Sequence, residues 1–106
     1  MANKNINYIG SFPNSVIKFI EYLKSNRNIL RVILFGSRVH ADFNEKSDFD
    51  IAIEFKFPNS TEFLKIKDFV HYQFNSLYYI SLVDYNNSPE KLKQIIKDTG
   101  VTIYEY

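Results

Sequence analysis

Asp48 and Asp50 are two acids separated by a single phenylalanine at the head of the run Asp48-Phe49-Asp50-Ile51-Ala52-Ile53-Glu54-Phe55. Such a run predicts a strand, and successive strand side chains point to opposite faces, so the two acids share one. Carboxylates held side by side repel each other unless something positive sits between them. A hard divalent cation such as Mg²⁺ takes oxygen ligands and suits that gap. Upstream, Gly36-Ser37 closes an apolar run. A turn there offers bare backbone N–H groups, which a phosphate needs. A phosphate cradle beside a metal clamp is the equipment of nucleotidyl transfer.

The elements that must position these residues follow from apolar spacing. Residues 1–12 are Asn-rich without a clear period and read as an N-terminal arm, leaving 13–106 as one domain. A helix is expected from Pro13-Asn14 or Ser15 to about Asn26, with Val16, Ile17, Ile20 and Leu23 inward and Asn14 or Ser15 as cap. Ile29 to Phe35 is nearly continuous and β-branched, the signature of a strand buried on both faces. Ser37 to about Ala41 reads as a short helical turn, and Asp42 to Lys46 as loop. The second strand spans about Asp48 to Phe55, with Phe49, Ile51 and Ile53 on one face and Asp48, Asp50, Ala52 and Glu54 on the other. After Pro58-Asn59-Ser60 a helix reaches about Asn75 on an inward stripe of Phe63, Ile66, Val70 and Phe74. Tyr78 to Asp84 is a third strand. Ser88-Pro89 then opens a helix with Leu92, Ile95 and Ile96 inward, closed by Gly100, and Val101 to Tyr106 forms a last edge strand. The fold class is α/β, a small mixed β-sheet flanked by helices.

Bulk properties narrow the function. The chain has 106 residues, 45% of them apolar, with ten Phe and eight Tyr, enough for one packed core but not for a second substrate domain. Thirteen Lys and Arg against twelve Asp and Glu give a net charge of +1. Gripping long nucleic acid needs a denser basic surface. The absence of cysteine fits a reducing cytoplasm and excludes a thiolate zinc site. Met1-Ala2-Asn3-Lys4-Asn5 lacks the apolar run of a signal peptide, and no stretch has the length of a membrane span.

With Leu34-Phe35-Gly36-Ser37-Arg38 followed by Ser47-Asp48-Phe49-Asp50-Ile51, the chain resembles the DNA polymerase β-like nucleotidyltransferases. It looks most like the minimal nucleotidyltransferases (MNT proteins) that act as antitoxins beside HEPN-domain ribonuclease toxins. Either half of the motif alone is weak; the pair is fairly specific. The resemblance implies that Gly36 and Ser37 hold the triphosphate of an incoming nucleotide and that Asp48 and Asp50 are catalytic and ligate Mg²⁺ in a two-metal site. Arg38 would touch phosphate or pair with a nearby acid. The implied reaction is transfer of AMP from ATP onto a tyrosine hydroxyl of the toxin, in a hetero-oligomer, in the cytoplasm.

Two departures matter. The glycine common three residues after the arginine is Ala41 here, a change tolerated wherever φ is negative. The third carboxylate of the family falls in Ser81-Leu82-Val83-Asp84, where it has become Ser81. Serine ligates metal weakly and is a poor base at neutral pH. Losing a positioned general base costs roughly 10²–10⁴ in rate. Asp84 lies an odd number of residues from Ser81 and so faces the other side of a regular strand. Glu54 shares the face of the aspartates but stands four residues from Asp50, roughly 13 Å at about 3.3 Å per residue. The alternative is therefore a binding module that neutralises its toxin by contact alone. A stand-alone enzyme acting on RNA ends or a small molecule fits the near-zero charge and single domain less well.

Each residue also has a plainer explanation. Asp48 and Asp50 could be a solvated strand face, but acids disfavour strands and the Gly-Ser turn stands upstream. Gly36-Ser37 alone would be an ordinary strand-to-helix turn. His40 reads as an exposed bystander in a polar loop, and His71 as packing beside an inward stripe. Tyr78, Tyr79, Tyr104 and Tyr106 line strand faces or a partner surface. Lys91, Lys93 and Lys97 form the wet face of the last helix.

Overall fold

Strand β1 (Ile29–Phe35) reads Ile-Leu-Arg-Val-Ile-Leu-Phe, a run that is satisfied only between two covering layers. The computed structural model describes residues 12–39, 48–73 and 80–106. In it β1 is joined by β2 (Phe49–Phe55), β3 (Ile80–Asp84) and β4 (Val101–Glu105) in one sheet of order β3-β2-β1-β4. β1 pairs antiparallel with β2 and with β4, whereas β2 and β3 run parallel. The sheet is mixed, as the sequence predicts, and β4 lies at its edge.

Helices α1 (Asn14–Lys24) and α2 (Ser60–Gln73) cover one face, and α3 (Glu90–Thr99) covers the other. Val16, Phe19, Ile20 and Leu23 of α1 and Phe63, Ile66 and Val70 of α2 pack on Val32, Leu34, Phe49, Ile51, Ile53 and Phe55. Each such side chain contributes about 1.5–3 kcal/mol as an upper estimate. Phe19 is fully buried although the predicted stripe omits it, and Ile17 is only partly buried. Phe12, the last residue of the expected arm, is buried edge-on against Phe49 at 5.2 Å between ring centres. The rest of that arm, the loop with His40 and Ala41, and Phe74 to Tyr79 lie outside the described residues.

The second face is a thinner layer. Ile33, Ala52, Tyr85 and Ile96 form a small cluster, with Phe35, Val83 and Leu92 against it. Ile95, expected inward, is 48% exposed because α3 touches the sheet only along its Leu92–Ile96 line.

Helix starts depart from the expected caps. Pro13 precedes α1 and no side chain caps it. Ser88 turns its hydroxyl back to the Asp84 carbonyl at 2.9 Å and does not cap α3. Asn59 does cap α2, its Oδ1 accepting the Glu62 N–H at 3.1 Å. Gly100 closes α3, but at φ −75° it needs no left-handed freedom. It needs space, because a Cβ there would stand 2.6 Å from a methyl of Ile33.

Candidate active site

Gly36 begins a four-residue 3₁₀ turn, Gly36–Val39, where β1 leaves the sheet. Its φ is +78°, a conformation that side chains rarely adopt. A Cβ at Gly36 would also run into the Asp50 carboxylate and stand 3.1 Å from its Cγ. The glycine thus serves two needs at once: it turns the chain and lets an acid lie against the turn. The leading N–H groups of such a turn have no carbonyl partner within it. Ser37 is exposed beside them.

Asp50 reaches that place from the strand next door. It stands opposite Phe35 in the β1–β2 ladder, one residue before the glycine. Asp48 sits just ahead of β2, exposed. Burial first, and the neighbouring Asp48 charge second, raise the Asp50 carboxyl above the ordinary carboxylate range. The structure therefore brings Gly36, Ser37, Asp48 and Asp50 into one corner at the end of the sheet. Two close carboxylates without a compensating cation are costly, and their oxygens are the donor set a hard divalent ion prefers. Asp48 and Asp50 have the donor chemistry that such an ion takes.

Arg38 takes another position. It is buried, and its guanidinium lies 4.1 Å from the centre of the Phe49 ring. Phe49 separates the two aspartates and points to the α1/α2 face. Arg38 thus braces the acidic strand from behind.

Position 81 lies on the other side of Asp50. In the parallel β2–β3 ladder Ser81 is the direct partner of Asp50, so both point to the same face. Asp84 pairs with Ile53 on the opposite face, where its Oδ2 accepts from Asn87 at 2.7 Å. Glu54 shares the face of the aspartates but accepts from Arg31 Nε at 2.6 Å, two rungs away from Ala52 and further still from the corner. Among the described residues no three His, Cys, Asp or Glu side chains gather to hold a metal.

The remaining candidates are peripheral. His71 is exposed, edge-on to Tyr72, and does not pack inward as the sequence predicts. Tyr104 is partly buried and Tyr106 is 64% exposed under the Lys56 ammonium. Lys91 and Lys97 are exposed, while Lys93 leans toward Tyr85. The role of Phe49 as the base on which Arg38 rests is missed by sequence reasoning, although its place between two acids was a signal.

The family model for polymerase beta nucleotidyltransferases matches residues 17–106. This chain belongs to the polymerase β nucleotidyltransferase family. Its fold is that of the minimal nucleotidyltransferases. A chain of a toxin–antitoxin crystal structure with AMP-PNP superposes with TM-score 0.63 at 19% identity, over 88% of this chain and 73% of that one. A chain of the toxin–antitoxin MntA-HepT gives 0.56 at 20% identity, over 88% and 72%. A complex of tri-AMPylated Shewanella oneidensis HEPN toxin with MNT antitoxin gives 0.52 at 19% identity, over 88% and 69%. At these identities the likeness establishes the fold. No curated protein matches the chain. Among the described residues no helix is long and apolar enough to cross a membrane.

Proposed function

We propose that this nucleotidyltransferase is an MNT-type antitoxin paired with a HEPN-domain ribonuclease toxin in the cytoplasm. In this reading it binds Mg-ATP at the acidic corner and passes AMP to a hydroxyl of the toxin. The observation that carries the reading is the close approach of Asp50 to Gly36, which sets a carboxylate against the turn in the space a Cβ would fill. Two structural neighbours favour the same chemistry: one holds AMP-PNP and another pairs an MNT antitoxin with a tri-AMPylated HEPN toxin.

The roles follow from placement. Asp48 and Asp50 hold the divalent ion. Such an ion would neutralise charge on the triphosphate and polarise its oxygens. Gly36 and Ser37 receive the phosphates through backbone N–H groups and the serine hydroxyl. Arg38, assigned to nucleotide binding by the resemblance, acts on it through Phe49 and the orientation of the two acids. A single sheet layer leaves the far side of the corner for the partner that carries the acceptor hydroxyl.

A second reading has its own observation. Ser81, the direct neighbour of Asp50, offers a hydroxyl where a carboxylate would complete a two-ion site. A chain so altered could neutralise its toxin by contact alone.

Labelled ATP, Mg²⁺ and the partner toxin separate the two, with Asp48→Ala as control. Label on the toxin that disappears in the variant supports transfer. Inhibition without label, unchanged in the variant, supports the binder and refutes the transferase.

A further inference from the structure

Among the described residues, the ladder around Asp50 narrows where a third oxygen donor can stand. On the β1 side its partner is Phe35, which is apolar. Along its own face come Asp48 and Ala52, and on the β3 side comes Ser81. Glu54 is committed to Arg31, and Asp84 points through the opposite face toward Asn87. Position 81 is thus the place among the described residues from which one more carboxylate could reach an ion shared with Asp50. A neutral hydroxyl there gives a weak ligand and no base at neutral pH.

We propose that Ser81 limits the acidic corner to one divalent cation, so that nucleotide is held while AMP transfer is slowed. A carboxylate at position 81 is then what separates this chain from a fast transferase. The proposal rests on the acidic corner being a cation and nucleotide site. In the restored step the acceptor hydroxyl oxygen bonds to the α-phosphorus as the bond to the bridging oxygen breaks. Pyrophosphate leaves with that electron pair, and the carboxylate at position 81 takes the hydroxyl proton. In the native chain no described group near Asp50 is placed to take it.

The test counts ions before it measures transfer. Mn²⁺ bound per chain is determined by electron paramagnetic resonance with one equivalent of AMP-PNP, for the native protein and for Ser81→Asp, Ser81→Asn and Asp50→Asn. One ion in the native protein and in Ser81→Asn, a second in Ser81→Asp, and fewer in Asp50→Asn are expected. Labelled ATP with the toxin should then show transfer by Ser81→Asp faster than native by about 10²–10⁴-fold. Two ions in the native protein overturn the proposal, as does a single ion in a Ser81→Asp variant whose circular dichroism matches the native spectrum. If Ser81→Asp fails to fold, Ser81→Glu and the native ion count decide the matter. No ion in any variant overturns the cation site itself, an outcome distinct from a native count of two.

Discussion

The two ends of the sheet treat their charges in opposite ways. At the end where β1 begins and β2 finishes, Glu54 and Glu62 are matched, and Asp84 accepts from Asn87 through Oδ2 while its buried Oδ1 has no hydrogen-bond partner. Arg31 is bonded to Glu54 across the ladder. Glu62 accepts from Asn26 at 2.6 Å and from Asn28 at 2.8 Å, while Asn28 also bonds both backbone groups of Phe57 at 2.9 Å. Asn86 closes the same end of β2 by bonding the Phe55 N–H at 2.8 Å and its carbonyl at 3.3 Å. At the other end Asp50 is partly buried beside a like charge. Glu54 and Glu62 are bonded at one end while Asp48 and Asp50 are set together at the other, and this contrast supports the binding site proposed at the acidic corner. Perturbed groups of this kind mark functional sites.

Variants at the two ends should therefore split stability from ligand binding. Asn28→Ala has the largest expected effect on stability. It removes the strap between β1, the Phe57 backbone and Glu62, a loss of about 2–3 kcal/mol. Chemical denaturation should show that loss while Mg-AMP-PNP affinity stays native; a parallel fall in affinity would mean that the two ends are not separate. Gly36→Ala should cost about 1–3 kcal/mol through the strained φ. It also pushes the Asp50 carboxylate aside, so calorimetry should find Mg-AMP-PNP affinity at least about tenfold weaker. Native affinity in that variant would remove the turn from the site.

Glu54→Gln breaks the partly buried pair with Arg31 but keeps an oxygen acceptor there, and the loss is about 1 kcal/mol. A thermal melt should place its midpoint lower by about 4–8 °C per kcal/mol lost. Nucleotide affinity should not move; if it falls, Glu54 belongs to the acidic corner after all.

Asp50→Asn has the smallest expected effect on stability, and its sign is reversed. The folded-state pKa of Asp50 is raised, so between the ordinary carboxylate value and the raised one the folded chain keeps a proton that the unfolded chain has lost. Stability of the ion-free protein therefore falls as pH rises through that window. Asp50→Asn should lack this decline and melt slightly higher than native at neutral pH in chelator. A lower midpoint would show that the carboxylate is structural.

Much of this was legible in the sequence because period and punctuation agree. The spans of β1 and β2, the face shared by Asp48, Asp50 and Glu54, and the opposite facing of Asp84 all follow from the two-residue period of a strand. Side chains that work across elements were harder to foresee. Nothing local in Ser88 says that it bonds back to Asp84, and the spacing in α3 does not reveal that the sheet supports only the Leu92–Ile96 line. Arg38 shows the same limit. A cation beside a Gly-Ser turn suggests phosphate, and only the packed ring of Phe49 reveals the position it takes.

Calorimetric titration of AMP-PNP, with Mg²⁺ and with chelator, into the native protein and Asp50→Asn tests the central claim most directly. Binding by the native protein that requires Mg²⁺ and disappears in the variant is expected. Binding of equal strength in all four titrations, or in none, would contradict it.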